Sequence, residues 1–536
     1  MQNQLTILPS SRSIRHRILA DKERNTFLNP TITMGEFLNR LLRVPNAINL
    51  DSDRRNLLLL EASEFKNFAS LEIERNFFTF TQNSSYIFRF LEELSGEEVD
   101  INTLELSDTY GDYEEHLHVL GELYKRYEKI CQREKVIDPI FLKKDYELNL
   151  DYLKRFEKLR LVLEGYLSNF EMSVLLACSQ AVNVELEFFA TPYNDKMTQK
   201  LNDLGFELHE GHYYHLEIRD RKSLHVRPLQ EQKKITCKQF SERLEQIAFI
   251  KEQVYLMVDS GMDPEKIAVI VPDENFASQI RLFDSESNFN FAMGRAFTQS
   301  DFYKKLHASI QGLDTLSIQN SVRINRLGSD SFELLRPFYH ERYTKENFDL
   351  LIDHILEDED KNIRELIVHE CYQFENLHEH LIGLSMKQVL HIFIERIRTL
   401  TLDDVGGGKI TVMGLLESRG VSFDGVVIID FNEAYVPRSS EKDLFLNSAI
   451  RQNSGLPTQK DREALQKHYY HMLISRAQAV AISYVESDDA IPSRFLTQLG
   501  IDKGEVVDSE AYASLLFKKG SQTTFTCKEI IAPFDF

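Results

Sequence analysis

Apolar positions along the chain fall into short continuous or alternating runs, each followed by a stretch with helical spacing. The run LTILPSS predicts a strand closed by a Pro-Ser-Ser turn, and SRSIRHRILADK after it has the spacing of a helix. From about Ala47 to Phe156 the pattern is helical, as in RRNLLLLEASEFKNF and HLHVLGELYKRYEKICQREK, with one acidic stretch, LEELSGEEVD, expected to face solvent. Strand character returns in LRLVLEGYL and VELEFFATP, on either side of a helix at NFEMSVLLACSQ. From Tyr213 to Pro228 the chain is basic and β-like (YYHLEIRDRKSLHVRP), which predicts a connection between halves at 216–230. The second half restarts as strand (KITCKQF), helix (SERLEQIAFIKEQVYLMVDSG) and strand (KIAVIVP). It turns helical from about Phe302 to Leu400, then gives two apolar strands in KITVMGLLESRG and FDGVVIIDF. A helix over Asp461–Gln478 feeds a last strand, AVAISYVE. Strands alternating with helices predict an α/β fold with parallel sheets. The expected layout is a first domain at 1–215 with a helical insertion at about 47–156, and a second at 231–510 with an insertion at about 302–400. Residues 511–536 form a C-terminal extension.

Composition narrows the function classes. The 536 residues correspond to about three to four domains. A net charge of −21 repels polyanions at long range, so any nucleic-acid contact has to come from local basic surface. The five cysteines, at 131, 178, 237, 371 and 527, are scattered without a C-x-x-C pair, against a disulfide framework, a zinc ribbon or a complete iron–sulfur ligand set. No apolar run reaches the roughly 18 residues of a membrane span, and MQNQLTILPSSRSIRHR has no signal-like apolar region, so the expected compartment is the cytoplasm.

Two α/β halves, each interrupted by helices, match the layout of superfamily-1 DNA helicases, and four segments strengthen the likeness. LTILPSSRSIRHRIL resembles the segment after the nucleotide-binding strand of the first motor domain, and TITMGEFLNRLL the next DNA-contacting motif. ITVMGLLESRGVSFDGVVIIDFNEAYVP resembles the fifth helicase motif and DREALQKHYYHMLISRAQAVAISY the sixth, with FNFAMGRAFTQSDFYKKL and IPSRFLTQL as supporting pieces. The chain resembles the AddB-type subunits of bacterial AddAB helicase–nucleases and the related RecC-like inactive helicase subunits. The similarity is strongest from about Gly408 to Leu499 and weak inside both insertions. It implies two degenerate RecA-like domains, an AddA-type motor partner, single-stranded or forked DNA as ligand, and a role in double-strand-break repair by recombination.

The phosphate chemistry of that family is missing. A P-loop needs G-x-x-x-x-G-K-[ST], whose amides, lysine and hydroxyl hold phosphates and magnesium, and the sequence has none. The nearest string is Gly408-Lys409-Ile410, with Asp403 at the first glycine position. It leads into a strand and reads as a glycine-rich connection. Where a helicase keeps its magnesium aspartate and water-orienting glutamate stand Glu164 and Gly165, the second without a side chain to orient anything. In the fifth motif Gly414, Leu416 and Ser422 replace the family's threonine, histidine and glutamate. Arg476 sits at the place of the phosphate-sensing arginine, where without a P-loop it reads as a structural ion pair. These three, Glu164, Gly165 and Arg476, are expected as remnants of a nucleotide site.

Two surfaces are candidates for DNA. The first carries Ser10, Ser11, Arg12, Arg15 and Arg17, with Thr33 in the next motif; hydroxyls and arginines at a strand exit suit phosphates, or form a solvated helix face. With it goes Ser418-Arg419 in ESRG, where Arg419 serves DNA backbone contact or domain packing. The second surface, Arg219, Arg221, Lys222, His225 and Arg227 among Tyr213 and Tyr214, fits single-strand binding or a surface β-ribbon. Asp220-Arg221-Lys222 is a D-x-K string without a partner carboxylate on a preceding strand, so no nuclease site is expected within the chain. His209, His212 and His215, and His369, Cys371, His378 and His380, have ligand-type spacing but read as surface or core residues. The expectation is therefore a non-hydrolysing DNA-binding and scaffold subunit that carries no cofactor of its own. Its alternatives are the N-terminal part of a longer nuclease subunit, whose further domain would bring magnesium and an iron–sulfur cluster with Cys527 as one ligand, and a protein scaffold without DNA contact.

Overall fold

A computed structural model describes residues 3–21, 28–50, 52–71, 73–75, 77–107, 114–229, 235–315, 317–327, 329–375, 377–402, 408–438 and 445–516. The first half forms β1 (Gln4–Leu8), α1 (Ser11–Asp21), β2 (Thr31–Thr33), α2 (Met34–Leu41), β3 (Lys158–Leu163), α3 (Asn169–Ser179), β4 (Asn183–Ala190), α4 (Asp195–Asp203), β5 (His212–Glu217) and β6 (Lys222–Pro228). Its six strands lie in the order β6-β5-β4-β3-β1-β2. The pairs from β2 to β4 are parallel and the two involving β5 are antiparallel. Residues 216–228 are thus the edge of the first sheet rather than a connection between halves, which corrects the boundary expected at 215. Apolar content does not reveal this, because β6 is exposed along its whole length.

Alternation along β3 (KLRLVL) puts Leu159, Leu161 and Leu163 into a core with α2, α3 and α4 and sends Lys158, Arg160 and Val162 to the opposite face. That opposite face is a lattice of charges: Lys158 and His215 contact Glu185, and Arg160 and Tyr213 contact Glu187. Helix starts are fixed by reciprocal capping, Thr33 with Glu36 on α2 and Ser168 with Glu171 on α3.

The second half contributes β7 (Ile235–Phe240), α5 (Glu245–Asp259), β8 (Ile267–Ile270), β9 (Phe289–Phe291), β10 (Ile410–Met413), β11 (Gly425–Ile428), α6 (Gln459–Arg476), β12 (Ala479–Val485) and β13 (Glu505–Val506). These seven strands, ordered β9-β10-β8-β11-β12-β7-β13, are all parallel. The central strands β8 and β11 are buried at every position, with separate apolar cores on the two faces of the sheet. The structure is accordingly mixed α/β with parallel-rich sheets.

Both insertions are helical. The first includes Ser52–Ala62, Phe77–Gly96 and Glu114–Glu134, and the second runs from Asp301–Asp314 to Met386–Arg398. LEELSGEEVD is not a solvated loop: its first part ends the helix Phe77–Gly96, with Leu91 and Leu94 buried. Phe445, Leu446, Ile450 and Leu456 of the second half complete the core of the first insertion. Among the described residues, no helix is long and apolar enough to cross a membrane.

Candidate functional site: the cleft between the two halves

The C-terminal ends of β1 and β3 meet the loop 414–422 and the last turns of α6. Glu164, the first residue after β3, has a side chain only 4% exposed and forms an ion pair with Arg476, the last residue of α6. Its other oxygen accepts the Gly420 N–H at 2.6 Å. The Arg476 guanidinium lies over Phe189 of β4, 4.6 Å from the ring centre. Thus the carboxylate is spent on an arginine and an amide of the opposite half.

Gly165 has a positive φ of 109°, and a Cβ there would stand 2.6 Å from the Tyr469 hydroxyl. The space that a side chain at this position would need is therefore filled by a tyrosine from α6. Gly420, with φ of 72°, is pressed on the strand exit in the same way, since a Cβ would lie 2.5 Å from Pro9 and 2.9 Å from Ser13. The Ser10 hydroxyl donates to the Arg419 carbonyl at 3.0 Å, and the Arg419 guanidinium sits 5.6 Å from the centre of the Tyr469 ring.

Deeper in the interface, His468 Nδ1 is 2.9 Å from Thr191 Oγ1. Burial, aided by Arg476 and His471, pushes the His468 imidazole down to about 3, so it is neutral in the fold. Lys196 pairs with Asp461 at 3.1 Å, and Glu93 of the first insertion accepts from Arg451 and Arg462, each at 2.8 Å.

The structure brings Ser10, Glu164, Gly165, Arg419 and Arg476 together, with α1 beside them and Arg227 lining the same cleft, and sets Arg219, Arg221 and Lys222 apart. Ser11 and Arg15 are exposed on α1, Arg12 and Arg17 half-buried beside them. Burial and the neighbouring Arg15 hold the Arg12 guanidinium below its usual range. Thr33 caps α2, accepting the Glu36 N–H at 3.3 Å, and the buried Ser418 donates its hydroxyl to the Leu415 carbonyl at 2.7 Å. Lys222 opens β6, four strands or about 19 Å across the sheet from β1, and Arg219 and Arg221 lie in the turn before it. Of these, Arg219 donates to the Ser179 carbonyl and Lys222 pairs with Asp220. Tyr213 and Tyr214 are buried, 7% and 3% exposed, and offer no stacking face.

Gly408 packs on the backbone of Phe289 and opens β10, while Asp403 and Cys527 lie outside the described residues. Gly414 is forced small by Glu274 and Glu417, each with an oxygen 2.7 Å from where a Cβ would stand; burial and Glu417 push the Glu274 carboxyl up. Leu416 is exposed and Ser422 lines the cleft. The histidines contact other partners, His212 the Glu210 carbonyl, His215 Glu185 and His369 Gln373. Burial pushes the Cys371 thiol up to about 12.

Comparison with protein-family models and with curated proteins finds no match. Sequence reasoning missed Gly420, Tyr469, His468, Phe189 and Thr191. The run HYYHML carries a signal for two of them, being too rich in large polar aromatics for an exposed helix face.

Proposed function

We propose that the chain is a non-hydrolysing, helicase-like DNA-binding and scaffold subunit, in which two degenerate RecA-like domains guide one strand while an AddA-type partner supplies the motor. The reading rests on the likeness of the four segments around Ser10, Thr33, Arg419 and Arg476 to helicase motifs. One observation carries its non-hydrolysing part: Glu164 accepts from both Arg476 and Gly420, at the positions to which the likeness assigns magnesium binding and phosphate sensing. A closed ion pair of this kind leaves neither a free carboxylate for a metal nor a free arginine for a γ-phosphate. Arg12, Arg15 and Arg17 on α1 supply local positive charge beside the cleft in an otherwise acidic chain.

ATPase assays with and without single-stranded DNA test this part. The expected rate is background, unchanged by Arg476→Ala; DNA-stimulated hydrolysis lost in that variant would refute the proposal.

A scaffold without DNA contact is the second reading, favoured by the hydroxyls of Ser10, Thr33 and Ser418 being used inside the protein. It predicts that Arg12→Ala, Arg15→Ala and Arg419→Ala leave DNA affinity unchanged, whereas the leading reading predicts weaker binding.

A further inference from the structure

The first sheet ends in an exposed edge strand. Strand β6 ends the sheet, and among the described residues nothing pairs with its outer side. It runs from Lys222 to Pro228, with a shift of register between Ser223 and His225 that leaves His225 to Pro228 as the regular stretch, and is exposed throughout, with Leu224 49% and Val226 45% exposed. An exposed edge of this length is a template for another strand unless charge or shape prevents pairing. The Leu229 N–H donates to the Gly211 carbonyl at 2.7 Å, so alternate residues Arg227 and His225 turn their backbone groups towards β5. Val226 then turns its own N–H and C=O to the open side.

Charge selects the occupant. Arg219, Arg221, Lys222, His225 and Arg227 are all exposed on this hairpin, against one exposed acid, Asp220, and the half-buried Glu217. Two copies of β6 paired with each other would set these cations together, which opposes self-association through this edge. Nucleic acid is disfavoured by the burial of Tyr213 and Tyr214 and by Arg227 lying 4.6 Å over the Tyr213 ring.

We propose that β6 is a β-augmentation site for an extended acidic peptide segment of a protein partner. Acidic side chains at alternate positions would meet His225 and Arg227, and small apolar or β-branched ones would lie beside Val226. The inference goes beyond the proposed function, although Arg227 and Pro228 at the end of β6 also line the cleft.

The test is fluorescence anisotropy of the full chain with a labelled peptide of about ten residues alternating glutamate and threonine. The same peptide N-methylated at every second residue keeps its charge and loses its strand hydrogen bonds. Binding is expected to the first peptide and to fall about tenfold or more with the second. Val226→Pro, which removes an outward N–H, should weaken binding as strongly, and Val226→Thr should retain it. No binding of the first peptide would overturn the proposal, as would affinity indifferent to N-methylation. So would an oligothymidylate that binds more tightly than the peptide and depends on Arg221 and Arg227. The N-methylated peptide acts on the unaltered protein, so the test stands even if the proline variant fails to fold.

Discussion

Glu164 is the residue on which the two halves converge, and its burial decides what its loss costs. With the Glu164 side chain 4% exposed and that of Arg476 20% exposed, Arg476→Ala leaves a carboxylate with one amide partner in a low-dielectric interface. We predict a loss of about 3 kcal/mol in urea unfolding for Arg476→Ala, and a smaller loss for the double variant Glu164→Gln/Arg476→Ala, which removes the stranded charge. Gly165→Ala should cost about 2 kcal/mol or more, because positive φ adds to the collision with Tyr469, and Tyr469→Phe should recover part of it. His468 gives the pH dependence. Its folded value is depressed to about 3 from an ordinary value near 6.5, so the unfolded chain binds the extra proton between these limits. The stabilisation is therefore complete above about pH 6.5 and is lost as pH falls towards 3. Melting temperature should drop more steeply over that window in the native chain than in His468→Gln. The sequence points to Glu164, Gly165 and Arg476 through their places in motif-like strings. It does not show that Glu164 and Arg476, 312 positions apart, contact each other, since pairing at that separation follows from the docking of whole domains.

At the scale of elements, the strands most legible in the sequence are those buried on both faces. KIAVIVP and FDGVVIIDF are unbroken apolar runs, and both become central strands of the second sheet. The hairpin β5–β6 is less legible, because a strand with one polar face at a sheet edge shares its composition with a surface loop. For the same reason the basic residues there suggest DNA contact, while their aromatic neighbours turn out to be core. Thr33 shows how a motif residue can be structural: it closes a capping box with Glu36 on α2. Thr33→Ala should destabilise the protein by about 1 kcal/mol, whereas Thr33→Ser should be close to neutral. If affinity for DNA falls only in step with the folded fraction, the hydroxyl acts through the helix start.

Across the whole molecule, the cleft bonds, the Glu93 contacts to Arg451 and Arg462, and the apolar residues that the second half lends to the first insertion join the two α/β units into one body. The parallel-rich α/β class is legible from alternating strands and helices. The extent of this joining is not, because the residues of the first insertion against which Phe445, Leu446, Ile450 and Leu456 pack lie far away in sequence. On the proposed reading, a body joined in this way makes no nucleotide-driven opening between its halves and holds DNA through fixed basic surface. Replacing Arg12, Arg15 and Arg17 together by alanine should then reduce the slope of log affinity against log salt by up to about 2 for single-stranded DNA. The most direct test is fluorescence anisotropy of the chain on a forked duplex with a single-stranded tail, titrated across salt with and without ATP and magnesium. The account predicts salt-sensitive binding that ATP leaves unchanged; affinity that shifts with ATP would contradict it, because the Glu164–Arg476 pair would then have to open for a nucleotide.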